Sequence, residues 1–222
     1  MYINIHTHQL KYSLDIKEVL NLILTPQKIP QCSGNYYTVG VHPWWCFENG
    51  QNFFDQLEKL IQNPMCVGLG EIGLDKVKGS NWQNQLWCFE QQLKFANLHE
   101  IPLVVIHSVK AYKEIWDDIT KSGFKGAILF HDYNGDVAFT KNALQRPRTY
   151  FSYGASLFRN SSAGLESLAF IPRYLFLLET DDQEKKTIEQ VYQRATEVLM
   201  IPMEQLKLDI KTNATMLLGR SI

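Results

Sequence analysis

The chain has 222 residues, 45% of them apolar and 12% aromatic, and a formal net charge of −1. This is enough apolar sequence for one domain with a sizeable core. The near-neutral charge excludes broad electrostatic clamping of nucleic acid, although bound cations can supply positive charge locally. No apolar run approaches membrane-spanning length.

The chain opens on strand-like sequence, Tyr2-Ile3-Asn4-Ile5-His6, with no basic leader and apolar run before it. A cytoplasmic location is therefore expected. Further strand-like runs are expected near residues 36–41, 65–70, 102–107, 126–131, 150–154 and 174–178. Their continuous apolar character, as in Leu103-Val104-Val105-Ile106, suits parallel strands covered on both faces.

Helical spacing lies between the runs. Trp82, Leu86, Phe89, Leu93 and Ala96 form one stripe, and Ile188, Val191, Tyr192, Ala195 and Val198 another. That second helix is expected to start near Gln183, with Asp182 as its cap. After Pro202 a last helix is expected over residues 203–218.

Alternating strands and helices predict a parallel α/β fold. Seven clear strands and the placement of the polar residues described below favour a TIM-like (β/α) barrel. Residues 25–35, with Pro26, Pro30 and Gly34, hold no convincing strand and helix. The second β/α unit is thus expected to be degenerate or missing. No repeat, linker or low-complexity tract divides the chain, and residues 1–222 read as one domain. Cys32, Cys46, Cys66 and Cys88 form no C-x-x-C pair and are expected to be free thiols. Nothing in the sequence points to an obligate protein partner.

Six candidate metal ligands end these runs: His6, His8, Glu71, His107, His131 and Asp181. A parallel barrel gathers the carboxyl ends of its strands at one mouth, so residues distant in sequence would converge. His6 and His8 are two apart on an extended segment and share a face. Glu71 has two oxygens and suits a bridge between two cations. Asp181 can bind metal and also accept a proton from water. Four imidazoles with two carboxylates suit Zn²⁺ or Mn²⁺ better than an all-oxygen Mg²⁺ site, though Mg²⁺ could support turnover. Trp44 and Tyr133, just past strand ends, are candidates to stack on a nucleobase. Lys76, Lys78, Lys110 and Arg159 are candidates to meet phosphates.

With these residues in place, the chain resembles the TatD-type metal-dependent deoxyribonucleases among the amidohydrolase-like barrels. The anchors are H-T-H at 6–8, G-V-H-P at 40–43, G-E-I-G-L-D at 70–75, V-V-I-H at 104–107, I-L-F-H at 128–131 and L-E-T-D at 178–181. The resemblance implies that His6, His8 and Asp181 hold one metal and that His107 and His131 hold a second. Glu71 would bridge them, Asp181 would orient or deprotonate the attacking water, and His42 would touch a substrate oxygen. It implies hydrolysis of DNA or another phosphodiester by water activated between two divalent metals. Asp132-Tyr133-Asn134-Gly135 departs from the family's usual Cys-Phe-(Ser/Thr)-Gly, and the loop after Asp181 is short, so the substrate-selecting walls differ. The alternatives are an amidohydrolase-like enzyme cleaving C–N or ester bonds of a small molecule, and a metal-binding barrel with little activity.

Overall fold

The computed structural model describes residues 1–25, 30, 34–46, 51–159, 162–183 and 185–222, without the side chains of residues 51 and 52. Its strands are β1 (Tyr2–Thr7), β2 (Ile16–Ile23), β3 (Tyr37–Gly40), β4 (Cys66–Asp75), β5 (Leu103–Val109), β6 (Ala127–Phe130), β7 (Thr149–Tyr153) and β8 (Phe176–Leu178). Its helices are α1 (Gln51–Ile61), α2 (Trp82–Leu98), α3 (Tyr112–Ser122), α4 (Val137–Ala143), α5 (Ala163–Leu168), α6 (Ile188–Leu199) and α7 (Met203–Leu218). The strands follow one another in the sheet in chain order, β1 to β8. The pairings of β1 with β2, β3 with β4, β4 with β5 and β7 with β8 are parallel. No described helix is long and apolar enough to cross a membrane.

Two compact units make up the chain: residues 1–20 with 129–222, and residues 21–128. The divisions fall inside β2 and β6. In the first unit, α6 is tied to β1 by Tyr192, whose buried hydroxyl accepts from the Ile3 N–H at 3.0 Å and donates to the Ile3 carbonyl at 3.1 Å. α7 is tied to β8 by Asn213, which donates to the carbonyls of Arg173 and Phe176. The core between these anchors is aromatic: Phe130, Tyr133, Phe151 and Tyr153 are all fully buried.

In the second unit α2 carries the organising side chains. Gln85 and Gln92 lie seven residues apart, two turns along one face, and both are buried. Gln92 accepts from the Val41 N–H at 2.8 Å and donates to the Val41 carbonyl at 3.0 Å. Gln85 does the same at Asp75, at 2.8 and 3.1 Å. Each amide pairs with both backbone groups of one residue, Val41 just past β3 and Asp75 at the end of β4. The two glutamines thereby fix the residues that follow β3 and those that close β4.

Two strand expectations need correction. β2 exists as an eight-residue strand, so the second unit is not missing. Its apolar pattern is broken by Glu18 and Asn21, which are buried because they have polar partners. Glu18 accepts from Asn4 at 3.4 Å and from the Lys11 N–H at 2.7 Å, and Asn21 accepts from the Thr38 hydroxyl at 3.0 Å. Among the described residues between β2 and β3 there is no helix. Part of the 25–35 stretch, Pro26 and Cys32 included, lies outside the described residues.

β4 also runs past Gly70 to Asp75. Gly73 makes this possible: with φ of 148°, its backbone lies so close to β5 that a Cβ would fall 2.0 Å from the His107 carbonyl oxygen. α6 begins at Ile188 and not near Gln183. Thr187 and Gln190 form a reciprocal capping box, which satisfies the first turn better than Asp182 could. Among the described residues, no disulfide joins Cys46, Cys66 and Cys88.

Candidate metal-binding site

Each unit gathers its own group of ligand-type side chains, on or just past its strands. In the first unit, His6 closes β1, and Asp181 follows β8 and bridges to Thr7. The Asp181 N–H donates to the His6 carbonyl at 3.0 Å, and the His8 N–H donates to the Asp181 carbonyl at 3.2 Å. This backbone pairing brings Asp181 Oδ1 to 3.5 Å from His6 Nε2 and 3.2 Å from His8 Nε2. His6, His8 and Asp181 each offer a ligand atom within 4.8 Å of the others. Asp181 adopts φ of 52°, a left-handed conformation that aspartate tolerates better than most residues. Its side chain is 22% exposed, against 1% for His6.

His131 follows β6, and its ring lies 4.6 Å from that of His6. Its Nδ1 is 3.4 Å from Glu179 Oε1. Glu179 is fully buried, accepting from the Asp132 N–H at 2.9 Å and from the Ser152 hydroxyl. A carboxylate held this way fixes the histidine ring and its tautomer, leaving the other nitrogen to bind.

In the second unit, Glu71 lies within β4. Its Oε1 is 2.6 Å from His107 Nδ1 and 3.2 Å from His42 Nε2, and its Oε2 accepts from Asn21 at 3.3 Å. His42, Glu71 and His107 form a second group of potential ligands, all buried. The Trp44 N–H donates to His42 Nδ1 at 3.2 Å, which makes Nδ1 the acceptor and leaves the proton of a neutral ring on Nε2. His42 is thus better suited to donate a hydrogen bond than to ligate.

Behind His107 stands Asp75, whose Oδ2 is 3.4 Å from His107 Nε2 and accepts from the Trp44 indole at 2.7 Å. Its Oδ1 accepts from the N–H groups of Val77 and Lys78 at 2.8 and 2.9 Å. Burial alone would raise its pKa, but the contacts from His107, Trp44, Lys78 and Val77 outweigh it and hold the carboxyl well below its usual range. Asp75, Gln85, Gln92 and Asn21 were not singled out from the sequence. A buried glutamine pair at helical spacing was the one readable signal.

A family model for TatD-related DNases matches residues 5–219. The chain belongs to that family. Similar proteins include an uncharacterized metal-dependent hydrolase of Haemophilus influenzae, 24% identical over 155 residues, 67% of this chain and 59% of that protein. Another, from Mycoplasma genitalium, is 29% identical over 160 residues, 65% of this chain and 58% of that protein. The matched region thus spans under two thirds of these relatives' length. The TatD homologue YjjV of Escherichia coli has a similar solved structure, with a TM-score of 0.79, 18% identity and 97% of each chain covered. A TatD-family hydrolase of Entamoeba histolytica gives a TM-score of 0.77 at 13% identity, again with 97% of each covered. These likenesses show the fold, a TIM-like parallel α/β fold with eight strands where seven were clear in the sequence.

Against the expectations for a TatD-family site, the structure joins His6, His8 and Asp181 in one unit and Glu71 and His107 in the other. His131 lies beside His6. Trp44 is half-buried, fixed by Asp75 at its edge. Tyr133 is a correction. Its ring is fully buried among Phe130, Phe139 and Phe151, and its hydroxyl pairs with Thr140 at 2.6 Å. A phenol with its hydroxyl satisfied in the core has no face left for substrate.

Proposed function

We propose that this chain is a divalent-metal-dependent phosphodiesterase of the TatD type, acting as one hydrolase domain on DNA or a related phosphodiester. The observation that carries the reading is that, in a TatD-family chain, each unit assembles histidines around a carboxylate on or just past its strands. Mixed imidazole and carboxylate donors fit a Zn²⁺- or Mn²⁺-like cation. His6, His8 and Asp181 would hold one cation, with His131 beside them. Glu71 and His107 would hold the other. When bound, the cations would lower the pKa of water and neutralise charge on the phosphate.

The protein's own groups then have distinct tasks. Asp181 is the most exposed carboxylate of the two groups and is suited to accept the proton of the attacking water. Glu71 is nearly inaccessible and suited to ligation. His42, whose Nε2 lies 3.2 Å from Glu71 Oε1, would donate from that nitrogen to a substrate oxygen once Glu71 ligates a cation. Glu179 and Asp75 keep His131 and His107 oriented.

The test is metal analysis of the purified protein together with hydrolysis of bis-p-nitrophenyl phosphate and single-stranded DNA. Bound divalent metal, activity on both substrates and its loss in Asp181→Asn with fold and metal retained are the expected results. Metal-loaded protein that cleaves no phosphodiester would overturn the proposal.

A further inference from the structure

The second unit holds a cavity of about 560 Å³ that the proposed chemistry leaves unused. Lys76, Lys78, Ser80, Trp82 and Gln85 line it, and Asp75 forms part of its wall. Since Asp75 also touches His107, the cavity begins one side chain away from a proposed ligand.

Its chemistry is that of an anion site. The Asp75 carboxylate would repel an anion if it were bare, but it is occupied by the indole of Trp44, His107 and the N–H groups of Val77 and Lys78. The Lys76 charge is paired with Glu114. The Lys78 ammonium lies 3.4 Å from the centre of the Trp44 ring, and among the described residues no carboxylate forms a salt bridge with it. The seventeen-residue helix α2 begins at Trp82 on the cavity wall, so its positive end faces the same space.

The walls are also pre-formed. Ser80 donates its hydroxyl to the Pro43 carbonyl at 3.0 Å, joining the 76–80 loop to the turn that carries Trp44. At Gly79, with φ of 119°, a Cβ would come within 3.0 Å of the Trp44 ring, so the loop lies against the indole only with glycine there.

We infer that this cavity is a subsite for a backbone phosphate of a nucleic-acid strand, one step removed from the scissile bond, with Lys78 as its charged contact. The inference rests on the phosphodiesterase reading above. It differs from simple surface attraction because cation, aromatic wall and helix end converge on one concave space of nucleotide size.

The test compares metal-loaded wild type with Lys78→Ala and Lys78→Arg on a single-stranded oligonucleotide and on bis-p-nitrophenyl phosphate, which is too short to reach the cavity. In Lys78→Ala the oligonucleotide KM rises about tenfold, and the salt dependence of log KM weakens by about 0.7, one phosphate contact on a single strand. The kcat and the small-diester kinetics stay as in wild type, and Lys78→Arg recovers most of the loss. An unchanged oligonucleotide KM, or an equal loss on both substrates, overturns the subsite. Should wild type cleave neither substrate, the phosphodiesterase reading fails separately. Fluorescence anisotropy of the same oligonucleotide then decides the subsite: weaker binding by Lys78→Ala supports it, and equal or absent binding in both proteins overturns it.

Discussion

The two units solve the same problem with different materials. Each holds a histidine against a carboxylate that is itself saturated by protein donors: His131 on Glu179 in the first, His107 on Asp75 in the second. Glu179 is sealed in the core by a main-chain N–H and the Ser152 hydroxyl. Asp75 is wrapped by its own following loop and by Trp44. The carboxylates nearest the chemistry differ the other way. Asp181 is 22% exposed, whereas Glu71 is 3% exposed. On the proposed reading, the contrast separates a group suited to exchange protons with water from one suited to stay in place.

The largest effect that would break this comparison is loss of the exposed carboxylate. Asp181→Asn is expected to lower kcat on bis-p-nitrophenyl phosphate by roughly 10²–10⁴-fold, the usual range for a general base, with the melting temperature little changed. Next comes metal removal. A chelator should abolish hydrolysis and lower the melting temperature, because a cation that binds only the folded state stabilises by about 3–4 kcal/mol at 100–1,000 times its Kd. Thermal melts with and without EDTA, followed by metal readdition, read both.

Glu179→Leu should show the sealed character of the first unit. It strands the Ser152 hydroxyl, the Asp132 N–H and His131, at a cost of about 2–4 kcal/mol in urea unfolding. Gln92→Leu should be milder, about 1–3 kcal/mol, since it leaves only the Val41 N–H and carbonyl unpaired. It should also perturb catalysis through His42, the next residue.

The smallest expected effect concerns Asp118, whose pKa is raised by burial and by Glu90, Asp117 and Glu114, with Lys121 opposing. A raised carboxyl pKa means that the fold disfavours the charged form. The contribution of Asp118 to stability should therefore be greatest below the ordinary carboxylate range and decline as pH rises through the folded pKa. Asp118→Asn should remove that decline, so it is neutral or slightly stabilising at pH 7. Unfolding curves at pH 4 and pH 7 check the sign.

How far the sequence carried this picture follows from where polarity was hidden. The apolar runs of β1, β5, β6 and β7 and the stripes of α2, α6 and α7 were readable, because apolar side chains make up most of the burial there. β2 was not, because Glu18 and Asn21 sit at core positions and pair with Asn4 and Thr38, partners distant in sequence. The end of β4 was misjudged for a similar reason. Its glycines, Gly70 and Gly73, interrupt the apolar run while serving a close backbone approach to β5. At the site, the histidines and Asp181 were legible from their strand-end positions. Glu71 was legible as a carboxylate, but its place inside β4 was not. Asp75 stood in the G-E-I-G-L-D anchor without a role of its own, and Gln85 and Gln92 offered only their seven-residue spacing on α2, since the backbone groups they bind carry no sequence signal. Tyr133 misled because an aromatic next to a histidine looks the same whether it faces substrate or core.

Anomalous diffraction from crystals grown with Zn²⁺ or Mn²⁺ tests the central claim most directly. The account predicts one peak about 2.0–2.2 Å from ligand atoms of His6, His8 and Asp181, and another at that distance from Glu71 and His107. Metal-saturated crystals with both groups still bonded only to each other, and no peak at either, would contradict it.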